Sequence, residues 1–175
     1  MTQIAARRLV LIRHARAVSF APSDKERQLT SNGQSDAQLL GEFLIRLDVR
    51  PGRALVSTAD RTRQTWASLT MSTGWDLSPE FDEGIYAGTA DTLLDIIRLS
   101  SPAEDTVLVV GHNPTIATLA QVLVDGEGDQ SAEVSMTVGF PPASAAIFEV
   151  SQAWTDLAAG TCRLKAFHVG STEGN

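Results

Sequence analysis

Residues 9–14 read LVLIRH and residues 107–112 read VLVVGH, so four aliphatic residues, one intervening residue and a histidine occur twice in the chain. Each aliphatic run is too short for a helix and has the composition of a strand that is buried on both faces of a parallel sheet. In open α/β sheets, ligands bind beyond the carboxyl ends of the strands. We therefore expect His14 and His112 to share one rim of a sheet.

Three further runs predict the rest of this sheet. Residues 54–56 form a third short aliphatic run, and residues 145–150 and 163–169 show the alternation that is typical of strands. We expect the last two strands to be antiparallel at one edge of the sheet.

Apolar residues at helical spacing predict helices between these strands. Two of them cover residues 31–48 and 60–70, and Thr89 opens a third. A fourth starts at Asn113, with the Asn113 side chain as its cap and Pro114 at its first position. Strands that alternate with helices predict an α/β fold, a three-layer sandwich with a mostly parallel central sheet flanked by helices.

The composition fits one domain over residues 1–175, with 43% hydrophobic and 20% charged residues. The net charge of -7 disfavours binding to nucleic acid and to anionic membranes, so an anionic ligand needs a local cationic pocket. The single cysteine, Cys162, agrees with a reducing compartment, and no apolar run reaches the roughly 18 residues of a membrane span. We expect a cytoplasmic monomer with no membrane association, a linker-like stretch at residues 125–129 and a frayed tail at residues 170–175.

The residues that follow the predicted strands are cationic or titratable. Arg13, His14 and Arg16 follow the first strand, Arg61 lies shortly after the second, and His112 follows the third. Guanidinium groups bind phosphate oxygens in a bidentate manner, and a neutral imidazole is nucleophilic enough to attack phosphorus. The set predicts a pocket for capture and transfer of a phosphoryl group.

Each of these residues also has a structural interpretation. His14 and His112 are each compatible with an ordinary hydrogen-bonding role at a turn, and Arg61 with a solvated position on a helix. Convergence of all of them on one rim favours the chemical interpretation. His168 has no carboxylate or histidine near it in the sequence and is interpreted as structural, and Cys162 is interpreted as a packing residue.

Four motifs resemble those of the histidine phosphatase superfamily, in its phosphoglycerate-mutase-like branch. In chain order they are Arg13 with His14; Asp24, Arg27, Leu29, Thr30 and Gly33; Ser57, Arg61, Gln64 and Thr65; and Gly111 with His112. Four motifs in the right order are specific, whereas an Arg-His pair alone is not. Within the superfamily, the short chain and its Gly-His-Asn-Pro sequence look most like the small bacterial phosphohistidine phosphatases.

The resemblance implies a phosphoglycerate-mutase-like fold and a metal-independent phosphatase without a cofactor. His14 is then the nucleophile that becomes phosphorylated, and Arg13, Arg61 and His112 bind the phosphoryl oxygens. We expect Asn113 and Arg16 to add to phosphate binding.

The chain departs from the family pattern at Ala15, where glycine is usual, and its proton donor is less clearly marked. Glu83 lies where larger members supply a glutamate, with Asp82 as an adjacent competitor in an acidic turn at residues 81–84. We expect Glu83 to be the general acid. Its absence would favour phosphohistidine as substrate, because imidazole leaves with little help from an acid.

Three functions therefore stay open at this point. The first is a phosphatase acting on a phosphohistidine-bearing protein, the second a phosphomonoesterase acting on small phosphate esters, and the third a noncatalytic phosphate-binding module. Other phosphatase chemistries lack their residues: an arginine six positions after Cys162, an Asp-x-Asp pair and a Gly-x-x-x-x-Gly-Lys loop do not occur.

Overall fold

The computed structural model describes residues 6–171, and its centre is a six-stranded sheet in the order β3-β2-β4-β1-β5-β6. The strands are β1 (Arg7–Arg13), β2 (Arg53–Ser57), β3 (Glu80–Asp82), β4 (Thr106–Gly111), β5 (Ser144–Val150) and β6 (Cys162–Val169). The first four strands are mutually parallel, and β5 and β6 are antiparallel at one edge. The predicted mostly parallel sheet is confirmed, together with its antiparallel edge.

Helices cover both faces of this sheet. They are α1 (Ser31–Arg46), α2 (Asp60–Thr73), α3 (Glu83–Ala87), α4 (Ala90–Arg98), α5 (Thr115–Leu123) and α6 (Gln130–Val138). Alternate residues of β1 point to opposite faces: Val10 and Ile12 pack with α1 and α2, whereas Leu9 and Leu11 pack with the other helices. This two-sided burial explains the continuous aliphatic run in β1 and confirms the three-layer α/β sandwich.

Three of the predicted helix boundaries were wrong. Helix α1 ends at Arg46 rather than at residue 48, because Asp48 has a left-handed backbone with φ of 51°. Helix α2 continues to Thr73 and ends at Gly74, which is also left-handed. Helix α5 begins at Thr115 after Pro114, so Asn113 does not cap it.

Two short elements and one longer helix were not predicted. Strand β3 has only three residues, two of them acidic, so it lacks an aliphatic run. Residues 81–84, interpreted as an acidic turn, are the end of β3 and the start of α3, with the Asp82 side chain accepting a hydrogen bond from the Gly84 amide. Helix α6 follows the linker-like stretch and is capped by the Asp129 side chain.

The expected frayed tail at residues 170–175 is wrong at its first residue. Gly170 is buried, and its amide donates to the Ala143 carbonyl at 2.9 Å. Residues 172–175 of that predicted tail lie outside the described residues. Within residues 6–171, no helix is both long and apolar enough to cross a bilayer.

The start of α1 is docked against the segment that follows His14. The Thr30 side chain accepts from the Gly33 amide at 3.0 Å, and the Arg16 carbonyl accepts from the Thr30 amide at 2.9 Å. A Cβ atom at Gly33 would overlap with that same carbonyl oxygen of Arg16.

We expect Gly33→Ala to lower the free energy of unfolding by about 1–3 kcal/mol, because α1 must move away from Arg16 to make room for the methyl group. Alanine is the better helix former, so the loss is net of a small intrinsic gain. Gly139→Ala is the matched control, since Gly139 has an extended φ of 174° and nothing near its Cβ position. Chemical denaturation measures both, and equal stability of the two variants would contradict the docking role of Gly33.

Candidate active site

The parallel pairing of β1 with β4 brings the two predicted histidines together. Arg13 is opposite Gly111 in the register, and the His14 amide donates to the Gly111 carbonyl at 3.0 Å. The imidazole rings of His14 and His112 follow directly, with centroids 5.2 Å apart. The shared rim that the sequence predicted is present in the structure.

His14 is held as a neutral imidazole with one defined tautomer. Its Nδ1 lies 2.7 Å from the Ala15 carbonyl oxygen, which can only accept, so Nδ1 carries the proton. Burial, together with the positive charges of Arg61, Arg13 and Arg27, lowers the pKa of His14 to about 4. Near neutral pH, Nε2 therefore has a free lone pair, which is what a nucleophile requires.

His112 is also a neutral imidazole. The Ser57 hydroxyl lies 2.7 Å from Nε2, and the Ala59 amide approaches the same hydroxyl at 3.5 Å, so Ser57 can donate its proton to Nε2. With Ser57 as the donor, the proton of the ring is on Nδ1, as in His14, and this Nδ1 is buried without a hydrogen-bond partner among the described residues. Burial and the nearby charge of Arg61 lower the pKa of His112 to about 3. His112 is thus a neutral hydrogen-bond donor with one unused N–H.

Arg13 and Arg61 supply fixed positive charge beside these rings. Nη1 of Arg13 donates to the Phe140 carbonyl at 2.9 Å. Arg61 is nearly buried, and its two terminal nitrogens donate to the main chain and side chain of Asp24. In both guanidinium groups Nε is buried without a partner in the described part of the chain. Buried donors without a protein partner are satisfied by water or by a ligand, and phosphoryl oxygens have the complementary chemistry.

The other two expected phosphate ligands have different partners. Arg16 makes a bidentate ion pair with the buried Asp36, at 2.6 and 3.1 Å, so its guanidinium is anchored to α1. The Asn113 amide nitrogen donates to the Phe140 carbonyl at 2.9 Å, and the buried Oδ1 has no hydrogen-bond partner among the described residues. The amide nitrogen has two N–H groups and this bond uses one of them, so phosphate binding by Asn113 stays a prediction.

Three residues of the site were not assigned a role from the sequence. Arg27 lies close enough to His14 to lower its pKa, and its guanidinium donates to Asp24 and to the Val18 carbonyl. The hydroxyl of Tyr86, whose ring packs edge-on against His112, also donates to Asp24. The motif Asp-x-x-Arg at residues 24–27 was the available signal for Asp24 and Arg27, but it did not indicate which groups these residues contact.

Glu83, the expected general acid, has the environment of an ionised carboxylate. Its Oε2 accepts from Lys25 at 2.6 Å and from the Thr58 hydroxyl at 2.5 Å, and the side chain is largely exposed. Hydrogen bonds from Lys25 and Thr58 lower the pKa of Glu83. A carboxyl group that donates a proton near neutral pH needs the opposite shift.

Ala15, which departs from the family pattern, fits its position. Its side chain is fully buried, and its amide donates to the Thr65 hydroxyl at 3.0 Å. Asp48 and Ala143 are the non-glycine residues of positive φ within residues 6–171, so Ala15 is in a conformation that alanine adopts without strain.

Sequence comparison agrees with this arrangement, although no protein-family model matches the chain. The phosphohistidine phosphatase SixA of Escherichia coli K12 is 30% identical over 121 residues, which cover 67% of this chain and 74% of SixA. The chain belongs to the histidine phosphatase superfamily. An uncharacterized protein of Mycobacterium tuberculosis H37Rv is 33% identical over 160 residues, 90% of this chain and 99% of that relative.

Solved structures of histidine phosphatases have the same fold. A SixA-type protein from Nakamurella multipartitia superposes with a TM-score of 0.84 at 33% identity, over 95% of this chain and 98% of the other. A protein histidine phosphatase SixA solved with tungstate gives 0.75 at 22% identity, over 93% and 97% of the two chains. The superfamily, its phosphoglycerate-mutase-like α/β fold and its phosphatase class are therefore the ones that the motifs predicted.

His168 and Cys162, interpreted as structural, lie in β6. The His168 ring stacks on Phe43 with centroids 3.8 Å apart. Cys162 is fully buried, and burial raises the pKa of its thiol to about 11, so it carries no thiolate near neutral pH.

We expect NMR titration of the imidazole carbons to give His14 and His112 midpoints near about 4 and 3, because burial and the neighbouring guanidinium groups disfavour their charged forms. The unfolded chain binds these protons near pH about 6.5, so both residues lower the stability of the fold as the pH falls through that value towards 4. Arg61→Ala should move the His14 midpoint upwards. A midpoint near 6.5 for His14 in the unaltered protein would contradict the electrostatics described for this site.

Proposed function

We propose that the protein is a phosphohistidine phosphatase that hydrolyses phosphohistidine on another protein through a phosphorylated His14. The observation that carries the choice of substrate is the state of Glu83. Lys25 and Thr58 hold this carboxylate ionised, so the site has a nucleophile and phosphate ligands but no poised proton donor.

Attack starts at Nε2 of His14. The hydrogen bond from Nδ1 to the Ala15 carbonyl orients the ring and leaves the Nε2 lone pair directed away from the main chain. A bond forms between Nε2 and phosphorus as the bond between phosphorus and the leaving nitrogen breaks. The product of this step is a phosphohistidine on the protein and a free imidazole on the substrate.

The charge that develops on the phosphoryl oxygens is met by fixed donors. Arg13 and Arg61 offer buried Nε–H groups, and His112 offers Nδ1–H. Because His112 is neutral, it donates a hydrogen bond without bringing an additional acidic proton next to His14. Such preorganised donors stabilise the transition state electrostatically, and we propose that they do so without a metal ion.

The leaving group decides which substrates react. Imidazole is released with a conjugate-acid pKa near about 6.5, so water protonates it readily. An alkoxide is far more basic and needs an acid at the moment of bond cleavage. With Glu83 ionised, phosphohistidine is the better substrate, and a general phosphomonoesterase is not favoured.

Water completes the cycle by attacking phosphorus, which releases inorganic phosphate and restores the neutral His14. The neutral imidazole is again the leaving group, so this step also proceeds without a strong acid. The intact nucleophile distinguishes this proposal from a noncatalytic phosphate-binding module.

A protein substrate is compatible with the shape of the site. The cavity beside His14 has a volume of about 410 Å³ and opens between the residues after β1 and the start of α1. Its lining includes Arg13, Arg16 and Arg27, so an acidic protein segment around the phosphohistidine would meet positive charge. The proposed partner is a phosphorylated protein of a phosphotransfer system.

We expect His14→Ala to abolish phosphate release from a phosphohistidine-bearing protein, with a loss of at least about 10³-fold. The control is His168→Gln, which removes the histidine that stacks on Phe43 and should keep most of the activity. Both are compared by phosphate release after circular dichroism has shown that they are folded. Substantial turnover by His14→Ala would exclude the covalent mechanism.

We expect Glu83→Gln to change phosphohistidine hydrolysis by less than about twofold to threefold, because no proton from this residue enters the reaction. Alkyl phosphates should be poor substrates for the unaltered protein and for the variant alike. Steady-state kinetics on both substrate classes makes the test. A large loss that is confined to alkyl phosphates would instead establish Glu83 as the acid of a phosphomonoesterase.

A further inference from the structure

Asp24 makes contacts that no step of the proposed reaction uses. It begins a three-residue 3-10 helix (Asp24–Glu26) in the segment between β1 and α1. Its Oδ2 accepts from Arg61 Nη2 at 3.0 Å and from the Tyr86 hydroxyl at 3.0 Å, and its Oδ1 accepts from Arg27 at 3.0 Å. A carboxylate therefore binds two of the guanidinium groups that lie beside His14.

These contacts are of the kind that a phosphoryl group makes. Carboxylate and phosphate oxygens both accept charge-assisted hydrogen bonds from the guanidinium fork. While Asp24 accepts from Nη2 of Arg61, the N–H group that makes this bond is not available to a phosphoryl oxygen. The hydrogen bonds from Arg27, Tyr86 and Arg61 also keep the pKa of Asp24 near about 2, so the competing charge persists at any pH at which the protein is used.

We propose that Asp24 is a built-in anionic competitor, which the phosphoryl group must displace from Arg61 and which sets the affinity of the site for phosphate. The assignment rests on the proposed phosphate site and adds to it a residue that weakens binding rather than strengthening it. A site that forms a covalent intermediate and then releases inorganic phosphate gains from such a residue, because product leaves more readily.

The two partners of this ion pair differ in their freedom to move. The Arg61 side chain is only 7% exposed, on helix α2, whereas that of Asp24 is 53% exposed. The 3-10 helix around Asp24 buries none of its residues. The carboxylate can therefore move into water without disturbing the core, while the guanidinium stays in place.

The difference in charge also favours a phosphoryl group over the Asp24 carboxylate at Arg61. A phosphoryl dianion brings three oxygens and about two negative charges, against two oxygens and one charge for the carboxylate. Nε of Arg61 has no hydrogen-bond partner among the described residues and is one of the donors that a third oxygen can satisfy. A dianionic phosphoryl group can thus replace Asp24 where a monoanion competes less well.

A purely structural role for Asp24 predicts the opposite sign. If the carboxylate served only to orient Arg61 and Arg27, its loss would disorder two phosphate ligands and weaken phosphate binding. Competition predicts that its loss strengthens binding. The direction of the change in affinity therefore separates the two roles.

The experiment is isothermal titration calorimetry of the full chain with inorganic phosphate. We expect Asp24→Asn, which keeps the shape and removes the charge, to lower the Kd for phosphate roughly tenfold, the effect of removing one competing charged hydrogen bond. Tyr86→Phe removes one hydrogen bond to Asp24 and should lower the Kd by about twofold to threefold. Tyr86→Phe keeps the aromatic ring against His112. It therefore still tests the proposal if Asp24→Asn does not fold.

Glu26→Gln is the matched control. Glu26 is a carboxylate of the same 3-10 helix, but it accepts from the Ser23 hydroxyl and has no guanidinium partner among residues 6–171. Its variant should leave the Kd for phosphate within about twofold. An unchanged or higher Kd for Asp24→Asn, or an equal decrease for Glu26→Gln, would overturn the proposal, as would failure of every variant to bind phosphate.

This test does not depend on which phosphorylated molecule is the substrate. Phosphate binding that tightens in Asp24→Asn supports the competitor even if phosphohistidine proves not to be hydrolysed. Hydrolysis of phosphohistidine together with weaker phosphate binding by the variant would support the proposed function and reject the competitor.

Discussion

The concentration of positive charge at one end of the sheet is the constraint to which the rest of the site responds. Arg13, Arg27 and Arg61 surround His14, in a protein whose net charge is -7. Burial of His14 is the largest cause of its lowered pKa, and this positive charge lowers the pKa further, so the arginines that would bind phosphate also help to keep the imidazole unprotonated. The same arginines thus serve both phosphate binding and the control of the His14 protonation state, and neither task requires a residue with an unusual intrinsic pKa.

Hydrogen bonds convert this electrostatic state into directed chemistry. The Ala15 carbonyl assigns the proton of His14 to Nδ1, and a Ser57 hydroxyl that donates to Nε2 of His112 leaves the proton of that ring on Nδ1 as well. In the proposed reaction the two histidines have complementary roles, since Nε2 of His14 attacks phosphorus and Nδ1 of His112 donates to a phosphoryl oxygen. Adjacent parallel strands in register are what place two such different imidazoles side by side.

The parts of the fold that the sequence predicted were those in which burial controls residue choice. The aliphatic runs of β1, β2 and β4 are buried on both faces, which requires apolar side chains at consecutive positions and so produces a pattern that the sequence shows directly. Strand β3 and helix α3 were missed because their short polar sequences obey no such requirement. The residues at the strand ends were predicted to converge because topology alone dictates it. The partners of Arg16, Asn113 and Glu83 were not predicted, since they are groups that lie 20, 27 and 58 positions away in the chain.

The two margins of the sheet differ from its interior in a way that bears on self-association. Strand β3 offers only three residues to an added strand, and β6 carries Arg163 and Lys165 on alternate positions of its solvent side. Short edges and edge cations are the means by which β proteins avoid polymerising through open backbone groups. A sheet with these two margins does not offer open backbone groups to the strands of another copy, so the cationic rim at the carboxyl ends of the parallel strands stays accessible to a ligand.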